Sequence, residues 1–358
     1  MTKSYCANYR IVVLLGLALF TSVARAADSA DNPIVPAGAK LELIYTRKAK
    51  LNSGLTEGPA AAPDGTIYFT DLPFGPGEGM ILRYNPKTNQ TTVFTDKSGK
   101  SNGLAFSPDG VLYSCDGADG GNRCVRRWDL KSATSTCVAD RYQGARFNSP
   151  NDLCSDAEGR IYFTDPRYGG TEPRELKHEA VYRLNRDGTV VEITREVEKP
   201  NGIAISPDSG TLYVADHNNG GNRLSLNDPE PVRGAMKVYA FPLNDQGLVA
   251  GPRRTLVDFG RENGSDGMRV DAVGNLYIAA RSLARPGILV VNPAGKELAF
   301  IATGPTNQTG LIDDWRGIPS NVEFGLADDS HMLYVTVDKS LYRIRLKTRG
   351  FRFTPAQN

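Results

Sequence analysis

The chain has 358 residues, a formal net charge of +2 and a hydrophobic fraction of 40%. This length allows one large domain or two ordinary ones. The basic residues form no continuous stripe, so a nucleic-acid partner is not expected.

The first 26 residues have the composition of a secretory signal peptide. Lys3 and Arg10 precede an apolar run at residues 11–20, and residues 24–26 (Ala-Arg-Ala) fit a cleavage site. The run is too short for a membrane span. Cleavage after Ala26 would remove three basic residues and no acidic ones, which changes the net charge from +2 to −1. We therefore predict a secreted or periplasmic protein with no membrane partner after cleavage, and an uncleaved anchor is the alternative.

One sequence pattern occurs six times in the rest of the chain. Each copy contains a polar residue, a short apolar strand, a tight turn and a second strand such as IYFTD. Dipeptides such as D-G, E-G and G-N supply the positive φ angles that tight hairpins need. Alternating β-branched and aromatic residues are typical of the strands. The copies begin at Glu57, Asn102, Asn151, Asn201, Asp266 and Asn321.

A looser hairpin follows each copy, as at residues 180–194. Four strands per unit at this spacing predict an all-β fold, a six-bladed β-propeller. The last copy supplies only three strands, so a strand at residues 41–49 would complete the sixth blade and close the ring. The propeller is predicted over residues 41–350, after an N-terminal extension (27–40) and before a C-terminal tail (351–358). Two sandwich domains are the alternative, but no linker divides the chain.

Four cysteines follow the predicted cleavage site, and an even number in an exported chain suggests disulfides. Cys124 and Cys137 flank a predicted turn, so a hairpin would let them face each other. Cys115 and Cys154 would then pair between neighbouring repeats. Other connectivities stay open, because sequence does not fix them. The spacing matches no zinc motif.

The six residues that open the repeats all carry a side-chain oxygen. The first strand of each propeller blade lines the central channel, so these residues are expected to form one ring around it. Asn and Asp before glycine are also common in turns, which is the alternative explanation for each position alone. Glu57 has no such turn preference. Two carboxylates and four amides are hard oxygen donors that suit calcium better than zinc or copper.

Four of these repeats carry motifs that resemble a known family. EGP at Glu57, FNSPNDL around Asn151, PNGIA around Asn201 and DGMRVD from Asp266 are similar to the gluconolactonase/SMP-30 (regucalcin) family. The resemblance covers nearly all of the mature chain, and the segment FNSPND…IYFTDPRYG is most similar to microbial gluconolactonases. It implies a six-bladed propeller with one divalent cation in its channel, commonly Ca²⁺, with Zn²⁺, Mn²⁺ and Mg²⁺ as other candidates. The metal ligands implied by the resemblance are Glu57, Asn151, Asn201 and Asp266.

The same resemblance implies a small-molecule substrate and hydrolysis of a sugar lactone, which is a carboxylic-ester hydrolase reaction. Asp266 is the predicted catalytic residue, because it is placed to position or deprotonate the attacking water. His217 lies in a long insertion and is a candidate second acid or base above the metal, and a polar loop residue without a role in the reaction is the alternative. The predicted substrate contacts are Asn102, Asn151, Asn321, Arg146 and His217.

Other catalytic machinery is missing from the sequence. There is no G-x-S-x-G and no H-E-x-x-H motif, so neither a serine hydrolase nor a zinc protease is expected. Two alternatives stay open: a metal-dependent propeller hydrolase of other esters, lactones or phosphotriesters, and a non-catalytic binding propeller. Asp71, Asp165 and Asp216 end the second strands of three repeats. We expect them to hydrogen-bond loop backbones rather than act in catalysis.

Overall fold

A computed structural model describes residues 32–47, 54–221, 232–304 and 317–354. Over these ranges the chain forms six antiparallel four-stranded sheets, and the predicted six-bladed β-propeller is confirmed. The predicted signal peptide at residues 1–26 lies outside the described residues. Among those that are described, no helix has the length and apolar character needed to cross a membrane.

The strands of the first three blades follow the N-terminal strand β1 (Glu42–Thr46). Blade 1 contains β2 (Leu55–Ala61), β3 (Ile67–Leu72), β4 (Met80–Asn85) and β5 (Gln90–Thr95). Blade 2 contains β6 (Ser101–Phe106), β7 (Leu112–Asp116), β8 (Cys124–Asp129) and β9 (Thr134–Ala139). A short hairpin pairs β10 (Arg141–Tyr142) with β11 (Ala145–Arg146). Blade 3 contains β12 (Leu153–Ser155), β13 (Ile161–Asp165), β14 (Ala180–Leu184) and β15 (Val190–Thr194).

The remaining strands complete the ring. Blade 4 contains β16 (Pro200–Ile205), β17 (Thr211–His217), β18 (Met236–Pro242) and β19 (Arg254–Asp258). Blade 5 contains β20 (Ser265–Val270), β21 (Leu276–Ala280), β22 (Gly287–Val291) and β23 (Glu297–Ala302). Blade 6 contains β24 (Pro319–Phe324), β25 (Met332–Val337) and β26 (Ser340–Arg345), with a 3-10 helix at Ala327–Asp329. Its outermost strand is β1, which pairs with β26 in antiparallel register.

The first strands of the blades surround the central channel. Each of β2, β6, β12, β16, β20 and β24 contacts the first strands of both neighbouring blades, so the ring is closed. Aromatic side chains fill the space between adjacent sheets. Tyr277 of blade 5 meets Phe324 of blade 6 edge-on at 5.0 Å, and Tyr68 of blade 1 meets Phe106 of blade 2 at 5.6 Å. These contacts are the preferred geometry of aromatic pairs and hold the blades in register.

Both terminal segments pack onto the propeller. Ile34 and Val35 are buried against blades 5 and 6. At the other terminus, the Arg352 guanidinium donates hydrogen bonds to the carbonyls of Ala61 (3.0 Å) and Ser107 (2.9 Å). The C-terminal segment therefore joins blades 1 and 2.

The glycines that follow the repeat-opening residues allow neighbouring first strands to approach closely. A Cβ atom on Gly202 would lie 2.2 Å from the carbonyl oxygen of Asp266, and one on Gly58 would lie 2.3 Å from that of Asn102. Backbone atoms cannot move aside as a flexible side chain can. Close packing therefore requires glycine at these positions, in addition to any turn preference.

Replacing Gly202 with alanine is expected to lower the free energy of unfolding by about 2–3 kcal/mol, because the new methyl group would force apart two buried strands. Urea denaturation measures this change. Gly251→Ala is the matched control, since its Cβ would meet only a proline side chain at 3.4 Å. Equal stability of the two variants would contradict the packing explanation.

The predicted disulfides are not formed, and the four cysteines Cys115, Cys124, Cys137 and Cys154 are free thiols. A bulge in the pairing of β8 with β9 places Cys137 opposite Arg126, two residues beyond Cys124. Cys115 packs with the core between blades 2 and 3, whereas Cys154 packs with the core between blades 3 and 4. Neither disulfide is formed, although the thiols of Cys124 and Cys137 lie within hydrogen-bond reach of each other across the β8–β9 hairpin, as the predicted hairpin requires. Cys115 and Cys154 cannot pair, because they lie in different cores.

Two of the three aspartates that end the second strands, Asp165 and Asp216, bind loop backbones as predicted. Asp165 accepts hydrogen bonds from the backbone N–H groups of Asn148 (2.8 Å) and Ser149 (2.7 Å). Asp216 does the same for the two residues that precede Pro200. Asp71 forms an ion pair with Arg47 in the described part of the chain. Asp165 and Asp216 thus fasten the chain where it enters blades 3 and 4.

The Asp165 carboxyl should make stability depend on pH, because burial raises its pKa to about 7. The unfolded chain loses this proton near pH 4. Its stabilising contribution is therefore present below about pH 4 and lost as pH rises to about 7. Asp165→Asn should flatten the fall in unfolding free energy between pH 5 and pH 7.5, measured by urea denaturation. Parallel pH curves for the two proteins would contradict this assignment.

Candidate functional site

A cavity of about 440 Å³ opens at one end of the channel. Its walls come from the beginnings of the first strands and from the loops that follow the second strands. Both kinds of segment meet at the same end of every blade. Five of the six residues that open the repeats line this cavity: Glu57, Asn102, Asn151, Asn201 and Asp266.

The carboxylates of Glu57 and Asp266 are the main charged groups at its base. Glu57 is only 4% exposed and Asp266 only 7%. Burial raises the pKa of Glu57 well above its usual range, and the nearby carboxylates of Asp266 and Asp152 raise it further. Burial also raises the pKa of Asp266, against the lowering effect of Arg281. The site therefore holds carboxylates at a cost that a bound cation would relieve.

Amide side chains hold these carboxylates in place. The Asn201 amide hydrogen-bonds to the carboxylate of Asp266. The Asn321 amide donates to Glu57 Oε2 (3.2 Å) and to Asp152 Oδ2 (3.3 Å). Asn321 was predicted to contact substrate, but it is 1% exposed and is not among the residues that line the cavity. Its position gives it a role in orienting Glu57 instead.

Below the cavity the channel contains further charges that the sequence analysis did not single out. Burial raises the pKa of Asp152 to about 6, while Arg269 lowers it. The Arg269 guanidinium bonds to Glu323 Oε2 at 3.1 Å and to the carbonyl of Leu104 at 3.3 Å. Acidic and basic groups thus alternate along the channel, and the acidic end faces the cavity.

Arg281 is a site residue that the sequence analysis missed. It follows β21, lines the cavity and forms an ion pair with Asp266. A signal for it exists in the repeats. Ala280 stands where the first four copies have an aspartate, as Asp165 does in IYFTD. The break in this pattern marks the blade whose second strand sends a guanidinium into the cavity.

His217 and Tyr168 form another part of the wall. His217 is 8% exposed, and its Nδ1 atom has no hydrogen-bond partner among the described residues. Burial lowers the pKa of His217 to about 3, and Arg281 adds to this effect, so the ring is neutral at pH 7. The Tyr168 hydroxyl donates to the His217 carbonyl oxygen at 3.2 Å. His217 therefore lies on the cavity wall as a neutral ring whose Nδ1 atom is buried.

Arg146 lies away from this group. It belongs to β11, its guanidinium donates to the carbonyl of Asn122 (2.8 Å), and it is not among the lining residues of the cavity. The structure therefore does not bring Arg146 together with the predicted metal ligands. Arg281 is the arginine found at the cavity.

The predicted metal ligands fit a hard divalent cation. Among the described residues, no three His, Cys, Asp or Glu side chains lie close enough together to hold a metal ion. Two of the four predicted ligands are asparagines, which do not count toward such a cluster. Glu57, Asp266 and Asp152 interact as like charges, and Arg281 is the cation paired with Asp266. An excess of buried carboxylates beside amide oxygens is the donor chemistry that calcium prefers.

Comparison with known proteins decides the family. Residues 118–312 match the family described as SMP-30/Gluconolactonase/LRE-like region. The chain belongs to this family. The SMP-30/gluconolactonase assignment drawn from the motifs around Glu57, Asn151, Asn201 and Asp266 is thereby confirmed.

Relatives of this SMP-30/gluconolactonase chain include named lactone hydrolases. A gluconolactonase of Zymomonas mobilis is 29% identical over 316 residues, which is 82% of this chain and 79% of the relative. The lactonohydrolase oryL of Aspergillus oryzae is 26% identical over 281 residues, 70% of this chain and 61% of the relative. These names support a lactone-hydrolysing enzyme.

Solved structures of similar proteins have the same fold. A gluconolactonase from Xanthomonas campestris has a TM-score of 0.68 and 27% identity, and the match covers 86% of this chain and 90% of that one. A calcium-binding regucalcin from Agrobacterium tumefaciens has a TM-score of 0.63 at 16% identity, covering 86% and 98%. The second likeness shows the fold alone.

Proposed function

We propose that this protein hydrolyses a sugar lactone to the corresponding aldonic acid, with a divalent cation held in the channel. The observation that carries the proposal is the joint placement of Glu57, Asn151, Asn201 and Asp266 on one cavity. The names of the gluconolactonase and lactonohydrolase relatives support the reaction class. Ca²⁺ is the expected ion, with Zn²⁺, Mn²⁺ and Mg²⁺ as other candidates.

The chain's own residues divide the work of the reaction. When bound, the cation would polarise the lactone carbonyl and stabilise the negative charge that develops on it. Asp266 positions the attacking water and takes up its proton. Arg281 and Asn201 hold the Asp266 carboxylate in orientation through their bonds to it. The proton then passes to the ring oxygen as the lactone C–O bond breaks, which leaves the aldonic acid; its new carboxyl group releases a proton to solvent at neutral pH.

Polar groups above the base of the cavity bind the hydroxyl groups of the sugar. Asn102 and Asn151 offer amide donors and acceptors, and His217 lies beside them on the cavity lining. A hydroxyl-rich substrate needs such partners, because an unmatched buried polar group is costly. The signal-peptide pattern at residues 1–26 supports placing this reaction in the periplasm or outside the cell.

A substrate panel tests the reaction class. The purified protein with Ca²⁺ would be assayed on δ-gluconolactone, phenyl acetate and a phosphotriester, with spontaneous hydrolysis subtracted. We expect the highest kcat/KM for the lactone. A higher value for the ester or the phosphotriester would replace the proposal with the corresponding hydrolase, and no turnover of any compound would favour a binding propeller.

A further inference from the structure

One side of the cavity is apolar. It is formed by blade 1, where Leu55, Leu72, Pro73 and Phe74 line the space. Phe74 stands in the loop between β3 and β4 and is 52% exposed. A singly exposed apolar residue is normal on a protein surface. Phe74 differs because its exposed ring belongs to the wall of the candidate active site.

A buried lysine holds this loop in place. Lys100 is only 3% exposed, and its Nζ donates to the carbonyl of Pro73 at 3.0 Å and to that of Gly75. These two carbonyls flank Phe74 on either side. The backbone N–H of Gly75 also bonds to Asp119 Oδ2 at 2.8 Å, and Asp119 lies 3.6 Å from the lysine.

These hydrogen bonds fix the backbone on both sides of Phe74 and so hold its exposed ring in one position. Burying an ammonium group is costly unless it is hydrogen-bonded and paired, and here both conditions are met around a single loop. A surface loop without a role does not need such a brace. The brace from Lys100 therefore indicates that the position of Phe74 matters for what enters the cavity.

The lining from other blades is polar. Asn102 comes from blade 2, His217 and Asn219 from blade 4, and Arg281 from blade 5. The volume of about 440 Å³ falls within the range of sites that hold drug-sized ligands, roughly 300–1,000 Å³. A cavity of this size with one polar and one apolar side suits an amphipathic ligand.

We infer that the substrate is a sugar lactone whose ring carries an apolar alkyl or aryl substituent, and that Phe74 and Leu72 contact this substituent. The inference rests on the proposed lactone hydrolysis and specifies its substrate class. The lactone ring lies toward the carboxylates and amides of the cavity base, and the substituent lies along blade 1.

The test compares two lactones that differ only in an alkyl chain. The values of kcat/KM for δ-valerolactone and δ-decalactone would be measured with the wild-type protein and with Phe74→Ser. We expect the wild type to prefer δ-decalactone by about tenfold or more, because each methylene group in an apolar site contributes to discrimination. Phe74→Ser should lose most of this preference, and Phe74→Leu should restore much of it.

Val273→Ser is the matched control, since Val273 is 72% exposed and lies outside the cavity lining. It should keep the wild-type preference. Hydrolysis of both lactones with the same ratio in the wild type and in Phe74→Ser would overturn the inference and leave the proposed function standing. Failure to hydrolyse any lactone, δ-gluconolactone included, would overturn both.

Discussion

Replacing Glu57 with glutamine is expected to weaken Ca²⁺ binding by at least about tenfold and to raise the stability of the metal-free protein. Glutamine keeps the shape of the side chain and an oxygen that can accept from Asn321 and Gly58, but it removes a buried charge. Burial is the main cause of the raised pKa of Glu57, and the neighbouring carboxylates of Asp266 and Asp152 raise it further. The gain in unfolding free energy should be about 1 kcal/mol or more.

Two measurements check this pair of opposite effects. Calorimetric titration with Ca²⁺ gives the affinity, and urea denaturation in the presence of EDTA gives the stability of the metal-free protein. Glu262→Gln is the control, since Glu262 is exposed and is not among the residues that line the cavity. If Glu57→Gln binds Ca²⁺ as tightly as the wild type, Glu57 is not a ligand.

Replacing Asp266 with asparagine is expected to lower kcat for δ-gluconolactone by about a thousandfold or more. The change removes both a predicted ligand and the group that takes up the proton of water, and general-base and metal contributions are each large. It also leaves the Arg281 guanidinium without its carboxylate partner in the cavity, which opposes cation binding.

Bound metal measured by elemental analysis, together with steady-state kinetics, separates the two roles of Asp266. Asp258→Asn is the control, because Asp258 is an exposed partner of Lys237 at the outer edge of blade 4. If Asp266→Asn has lost its metal but keeps full turnover, neither metal binding nor proton uptake by Asp266 is needed for the reaction.

The fold was predictable from the sequence because each blade repeats the same physical pattern. Six copies of a strand, a tight turn and a second strand leave few alternatives to a propeller. The repeat also aligned the residues that open each copy. Five of them meet on the cavity because the first strands of all blades run along the channel.

The rest depends on contacts between segments that are distant in sequence. Arg281 reaches the cavity from the end of β21 and meets Asp266 only because β20 and β21 are paired. Lys100 braces a loop about 25 residues earlier in the chain. The repeat predicted that Asn321 belongs to the ring of residues around the channel. It could not predict that the Asn321 amide donates a hydrogen bond to Asp152.

The cysteines show a different limit. Their number and spacing suggested pairing, and the thiols of Cys124 and Cys137 do lie within hydrogen-bond reach of each other. No disulfide is formed, however, and Cys115 and Cys154 lie in different cores. The core that a side chain joins depends on the packing of whole blades, which the spacing of cysteines in the sequence does not give.

Hydrolysis of δ-gluconolactone by the purified protein before and after metal removal tests the proposed reaction most directly. We expect turnover above the spontaneous rate, loss of that turnover when EDTA has removed the bound metal, and recovery on addition of Ca²⁺. Turnover that persists at full rate in protein shown by elemental analysis to be free of divalent metal would contradict it.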